Sequence, residues 1–93
     1  GESHLKVITT PGHTDGDICL FEPSDNLLFS GDTIFKRGIG RLDLPTAKPE
    51  MMVNSIEKLL ELEVEKIYPG HGEVVNKKGN EFIKRALRMA KNF

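Results

Sequence analysis

Four short apolar runs and two longer periodic ones divide the chain, and their spacing assigns most of the elements. From Leu5 to Thr9 the residues are β-branched and roughly alternating, which favours a strand closed by the turn chemistry of Thr10-Pro11-Gly12. A second strand is expected at Asp17–Glu22. There Ile18, Cys19, Leu20 and Phe21 are apolar on both faces, a run suited to a strand covered on both sides. The cluster Pro23-Ser24-Asp25-Asn26 then predicts a turn, and Leu27–Ser30 the return strand of a hairpin ended by Gly31-Asp32.

Phe35 to Pro45 carries Gly and Pro residues and no convincing period, so it reads as an ordered loop of the kind that often carries function. A helix is expected from near Thr46 to Pro49 onward, with Thr46 as a cap and Pro49 in the first turn. Its apolar face is Met52, Val53, Ile56, Leu59 and Leu60. Val64–Tyr68 reads as a short strand ended by Pro69-Gly70. Beyond Gly79-Asn80 a second helix places Phe82, Ile83, Ala86, Leu87, Ala90 and Phe93 on one side and Lys84, Arg85, Arg88 and Lys91 toward water. Gly1–His4 fits either a strand end or a vector-derived overhang. The predicted order is β-β-β-α-β-α, an α/β unit without linker or low-complexity tract.

Composition narrows the function classes. Thirteen Lys and Arg against 14 Asp and Glu leave a net charge of −1, which removes the bulk electrostatic case for a nucleic-acid partner. With 38% hydrophobic residues the chain is globular, and no apolar run approaches the length of a membrane span. The single cysteine, Cys19, cannot form an internal disulfide, so a cytoplasmic setting is expected. Its apolar surroundings make it a packing residue, and Met51, Met52 and Met89 read as core or interface fillers.

Two of the three histidines sit in the same tripeptide, Pro11-Gly12-His13 and Pro69-Gly70-His71, each at the end of a predicted strand. A Pro-Gly turn stops a strand and projects the following imidazole from the sheet edge, a rigid place for a metal ligand. Gly31-Asp32 does the same with a carboxylate. His13, Asp32 and His71 are therefore a candidate set for zinc, iron or manganese. Singly, each residue is as well explained as a surface histidine or a turn-capping aspartate. His4, at the terminus, is a poor ligand candidate.

Four motifs in order, Thr10-Pro11-Gly12-His13-Thr14-Asp15-Gly16, Phe29-Ser30-Gly31-Asp32-Thr33-Ile34-Phe35, Gly38-Ile39-Gly40-Arg41-Leu42-Asp43-Leu44-Pro45 and Tyr68-Pro69-Gly70-His71-Gly72, resemble the C-terminal half of a metallo-β-lactamase-fold hydrolase. The glyoxalase II-like, hydroxyacylglutathione-hydrolase-like branch is the most similar. The resemblance implies one half of a four-layer αββα sandwich, a small sheet with helices on one face, with residues 1–93 as a C-terminal half-domain lacking an internal boundary. It implies a centre of two divalent metal ions, zinc first and iron or manganese as alternatives. Its metal-bound hydroxide would attack the acyl carbon of a small thioester-like substrate. His13 matches the third histidine on the first metal, Asp32 the bridging carboxylate and His71 the terminal histidine on the second. Gly31 and Thr33 would orient Asp32.

The family's His-x-His-x-Asp-His motif, which supplies the other four ligands, is absent from these 93 residues. The chain alone is therefore expected to hold partial or no metal and to be inactive. Lys36, Arg37 and Arg41 read as a cationic rim for an anionic substrate tail, or equally as a solvated loop with Arg41 paired to Asp43. An isolated half-sandwich would bare an apolar sheet face built from residues such as Ile18, Leu20, Leu28 and Ile67, so a homodimer or larger assembly is expected. The rival readings are a non-catalytic module binding a metal or a partner, and a nucleic-acid-cleaving member of the same fold. The charge balance opposes the latter.

Overall fold

The computed structural model describes residues 5–93; the readings of Gly1–His4, His4 included, lie outside the described residues. Eight elements follow one another: β1 (Lys6–Thr9), β2 (Ile18–Glu22), β3 (Leu27–Gly31), β4 (Ile34–Phe35), β5 (Gly38–Ile39), α1 (Pro49–Leu59), β6 (Lys66–Pro69) and α2 (Gly79–Lys91). The main sheet has the order β1-β2-β3-β6. The β1–β2 and β2–β3 pairs are antiparallel, and β3 and β6 are parallel. Hence β1, β3 and β6 all point the same way, and the segments that follow them leave the sheet at one edge.

The segment expected to be a plain loop contains a miniature hairpin. Ile34 pairs with Ile39 and Phe35 with Gly38. Two-residue strands are too short for an alternating period to show. The helix α1 also starts differently from the expectation. Lys48 occupies the N-cap without a side-chain bond, Pro49 is in the first turn, and Thr46 lies outside the helix. Pro49 presets the helical φ and lacks only an amide that would have had no partner.

One hydrophobic cluster fills the space between the sheet and the two helices. Leu28, Ile67, Met52, Ile56, Leu59 and Ile83 are fully buried in it. A fully buried side chain of this size contributes roughly 1.5–3 kcal/mol by area, so these six are central to stability. Asn80 ties the pieces together. Its Oδ1 accepts from the Val64 amide at 2.6 Å and its Nδ2 donates to the Leu62 carbonyl at 2.9 Å, which fixes the start of α2 against the entry to β6.

The opposite face of the sheet is open. Val7, Leu20, Phe29 and Tyr68 are successive register partners across all four strands, so they form one continuous row, and Ile18 stands nearby at 47% exposed. Phe29 and Tyr68 meet edge to face at 5.9 Å. The bare apolar face was expected, but two of its residues are corrected. Leu28 and Ile67 point into the core, and Phe29, Tyr68 and Val7 take their place because alternation along each strand sends neighbours to opposite faces. For the same reason β2 is covered on one side instead of two. Phe93 is 63% exposed beyond the end of α2, and Met89 is 46% exposed, so neither fills the core. Among the described residues no helix is long and apolar enough to cross a membrane.

Candidate metal centre

Three strand ends deliver the three candidate ligands to the common edge. At the end of β3 the register with β6 shifts between Phe29 and Gly31, and Gly31 adopts φ +53°, a left-handed conformation that turns the chain so that Asp32 leaves the sheet. The Gly70 amide donates to the Gly31 carbonyl at 2.8 Å, which locks the end of β6 beside that turn. Asp32 Oδ1 and His71 Nδ1 consequently lie 3.4 Å apart, with both side chains at least half exposed. Glycine at position 70 suits this closeness: a Cβ there would lie 3.3 Å from Asp32 Oδ1 and 3.2 Å from the Gly31 carbonyl, so its neighbours would have to give slightly. The His71 ring also rests on Phe35, centroid to centroid 4.7 Å.

His13 follows β1 to the same edge. Its Nδ1 lies 2.9 Å from the Arg41 carbonyl oxygen. A carbonyl can only accept, so Nδ1 carries the proton and donates, and the lone pair of a neutral ring is on Nε2. Histidines that bind metals are commonly oriented in this way by a backbone carbonyl. Gly40 separates His13 from the Asp32 turn. A side chain there would strike the Asp32 carbonyl and come within 2.8 Å of His13 Cγ. The Gly40 amide donates to the Thr33 carbonyl at 3.1 Å, which extends the β4–β5 hairpin ladder to the residue after Asp32.

Support for the His13 loop comes from α1, which the sequence did not reveal. Ser55 Oγ donates to the Pro11 carbonyl at 2.7 Å, and the Lys48 amide donates to the Gly12 carbonyl at 2.7 Å. Gly12 lies so close to Met52 that a Cβ would come within 2.6 Å of its backbone. Thr33 was expected to orient Asp32. Its hydroxyl is fully buried and pairs with Thr10 Oγ1 at 3.0 Å, so it joins the turn after β3 to the end of β1 and does not bond the Asp32 carboxylate. Cys19 belongs to the same buried group through Thr10, and burial pushes its thiol pKa up, as suits an inert packing residue.

The chemistry these residues can offer is a partial ligand set. Asp32 and His71 meet directly, and His13 presents an oriented imidazole at the same edge. No three His, Cys, Asp or Glu side chains among the described residues stand close enough to enclose a metal ion by themselves. The donors fit divalent-metal binding in kind, with further ligands needed from elsewhere. The predicted cationic rim is present but engaged. Arg41 makes a bidentate pair with Asp43 at 3.0 and 2.9 Å, and Lys36 and Arg37 both reach Glu73, at 3.3 and 3.4 Å. The hydrogen-bonded pair raises the Arg41 pKa and lowers that of Asp43.

Comparison with known proteins identifies the family. A family model described as the metallo-beta-lactamase superfamily matches residues 1–71. A probable metallo-hydrolase of Methanocaldococcus jannaschii is 43% identical over 84 residues, covering 86% of this chain and 40% of its own. A hydroxyacylglutathione hydrolase of Bartonella quintana is 47% identical over 72 residues, covering 76% of this chain and 28% of its own. The crystal structure of TTHA1623 in a di-iron-bound form superposes with a TM-score of 0.73 at 37% identity, over 83% of this chain and 39% of that one. The chain thus spans well under half the length of these relatives. The mixed α/β architecture agrees with them and the family match covers most of the sequence: the chain belongs to the metallo-beta-lactamase superfamily.

Proposed function

We propose that this chain is the C-terminal portion of a dinuclear metal-dependent hydrolase that cleaves an acyl, thioester-like bond. The observation that carries the reading is the Asp32–His71 contact of 3.4 Å at the sheet edge that His13 also reaches. His13, Asp32 and His71 would hold the metal. Two divalent ions, zinc by preference, supply Lewis acidity and a nucleophilic hydroxide near neutral pH when bound. The residues of this chain orient and exclude. The Arg41 carbonyl holds the His13 proton on Nδ1, the Thr10–Thr33 pair keeps two ligand loops in register, and Phe35 shields one side of His71.

The substrate class is supported by likeness to the Bartonella quintana hydroxyacylglutathione hydrolase. Lys36, Arg37 and Arg41 would steer an anionic tail after exchanging a carboxylate partner for it. The buried, unpaired Cys19 suits a reducing cytoplasm. Since the His-x-His-x-Asp-His ligands are not among these residues, the 93-residue chain on its own is inactive in this reading. The test is thioester hydrolysis by the complete protein, by this chain, and by this chain with the missing half added back. Activity in the first and third and none in the second is expected. Tight metal binding without hydrolysis in any of them would instead identify a silent binding module.

A further inference from the structure

The charges are unevenly spread. Six of the 13 Lys and Arg residues lie at or beyond Lys77, but only one of the 14 Asp and Glu residues, Glu81, lies there. All six cations are exposed. Lys77 and Lys78 line a groove of about 370 Å³ whose wall also includes Lys36, Phe82 and Arg85. Lys36, Phe82 and Arg85 continue into a second groove, about 210 Å³, between α2 and the β4–β5 hairpin. Phe35, Lys36 and Arg37 carry on into a third, about 280 Å³, that ends at His71. One path therefore runs from the start of α2 to the candidate metal centre.

The chemistry of this path differs from that of the rim around Arg41. Lys36 shares Glu73 with Arg37, but among the described residues the side-chain nitrogens of Lys77, Lys78 and Arg85 have no carboxylate within ion-pair distance, while Glu65 accepts from the Lys78 backbone amide at 3.4 Å. Arg85 Cζ lies 5.1 Å from the centroid of the Phe82 ring, a cation–π contact that holds the guanidinium beside the groove, and a guanidinium can bind a phosphate in bidentate fashion. Three cations outnumber Glu81, the one acid of the groove wall, even with Glu65 counted, and Phe82 and Val74 add apolar surface for a ring. We propose that this groove binds a nucleoside diphosphate group, either as a free nucleotide or as the tail of the thiol in the acyl substrate. The groove rests on its own geometry, and only the link to a substrate tail depends on the hydrolase reading.

The test is calorimetric titration of the metal-free complete protein with ADP and with glutathione at low ionic strength. ADP is expected to bind at least about tenfold more tightly than glutathione, and the double variant Lys77→Ser, Arg85→Gln to weaken ADP by about tenfold or more. Lys91→Gln, on the same helix but outside the groove, is expected to change ADP affinity less than about twofold, with circular dichroism checking that all variants fold. Equal affinity for glutathione, an unaffected double variant, or an equal loss in Lys91→Gln would overturn the proposal, as would no ADP binding at about 1 mM. ADP raising KM for a thioester whose thiol bears a nucleoside diphosphate assigns the groove to the substrate tail. Binding without competition assigns it to a free nucleotide. Loss of thioester hydrolysis with ADP binding intact would remove the hydrolase reading alone.

Discussion

At the scale of single residues, the hydroxyl pair of Thr10 and Thr33 joins the loops that carry His13 and Asp32 at a point shielded from solvent. Both residues are fully buried, and no buried side-chain nitrogen or oxygen among the described residues lacks a partner. Thr33→Val keeps the shape and leaves Thr10 only the longer contact to Cys19 Sγ at 3.5 Å. A loss of about 1–2 kcal/mol in urea unfolding is expected, and an unchanged midpoint would mean that the pair contributes nothing. Glu22 makes a second local statement. The Ser24 hydroxyl, then the Asp25 amide, hold its carboxylate below the ordinary value of 4.5. A depressed folded-state pKa gives stability that is complete above the unfolded value and lost as pH falls through the folded one. Acid unfolding of Glu22→Gln should therefore lack the part of the pH dependence that the parent shows below about 4.5.

Elements built from alternation or helical period are legible in the sequence. The strands β1, β2, β3 and β6 and both helices fall within a residue or two of expectation where a run of four or more positions repeats a pattern. The β4–β5 hairpin escaped because two-residue strands hold no period. Asp32, His71 and His13 stood out because each follows a glycine at a strand end. Ser55 and Gly40 did not: their importance comes from what lies across the fold, a carbonyl at Pro11 and the ring of His13. Asn80 shows the same limit. In the sequence it resembles a helix-start residue, yet its amide bridges two carbonyl and amide groups of another segment. Asn80→Ala should cost about 1–3 kcal/mol, since the Val64 amide and Leu62 carbonyl lose their partner. A thermal midpoint equal to the parent's would show that water replaces it.

For the molecule as a whole, the open sheet face sets the main constraint. The row from Val7 to Tyr68 crosses every strand, and soluble monomers seldom leave such an apolar surface bare. The chain spans 28–40% of the length of the two relatives described above, and the cover we propose for this face is the rest of such a protein or, for the chain alone, a second copy. Light scattering on the 93-residue chain should report a mass at least twice 10.4 kDa. Phe29→Glu, placed at the centre of the row, should reduce it. A clean monomer at high concentration would contradict a self-covering face.

The central claim is that three separated residues serve one metal centre. Equilibrium dialysis against zinc of the complete protein, its Asp32→Ala variant and its His71→Ala variant addresses it directly. Two ions per parent chain are expected, with at least one fewer in Asp32→Ala and a weakened second ion in His71→Ala, each variant retaining its folded circular-dichroism spectrum. Undiminished zinc in folded Asp32→Ala would contradict it.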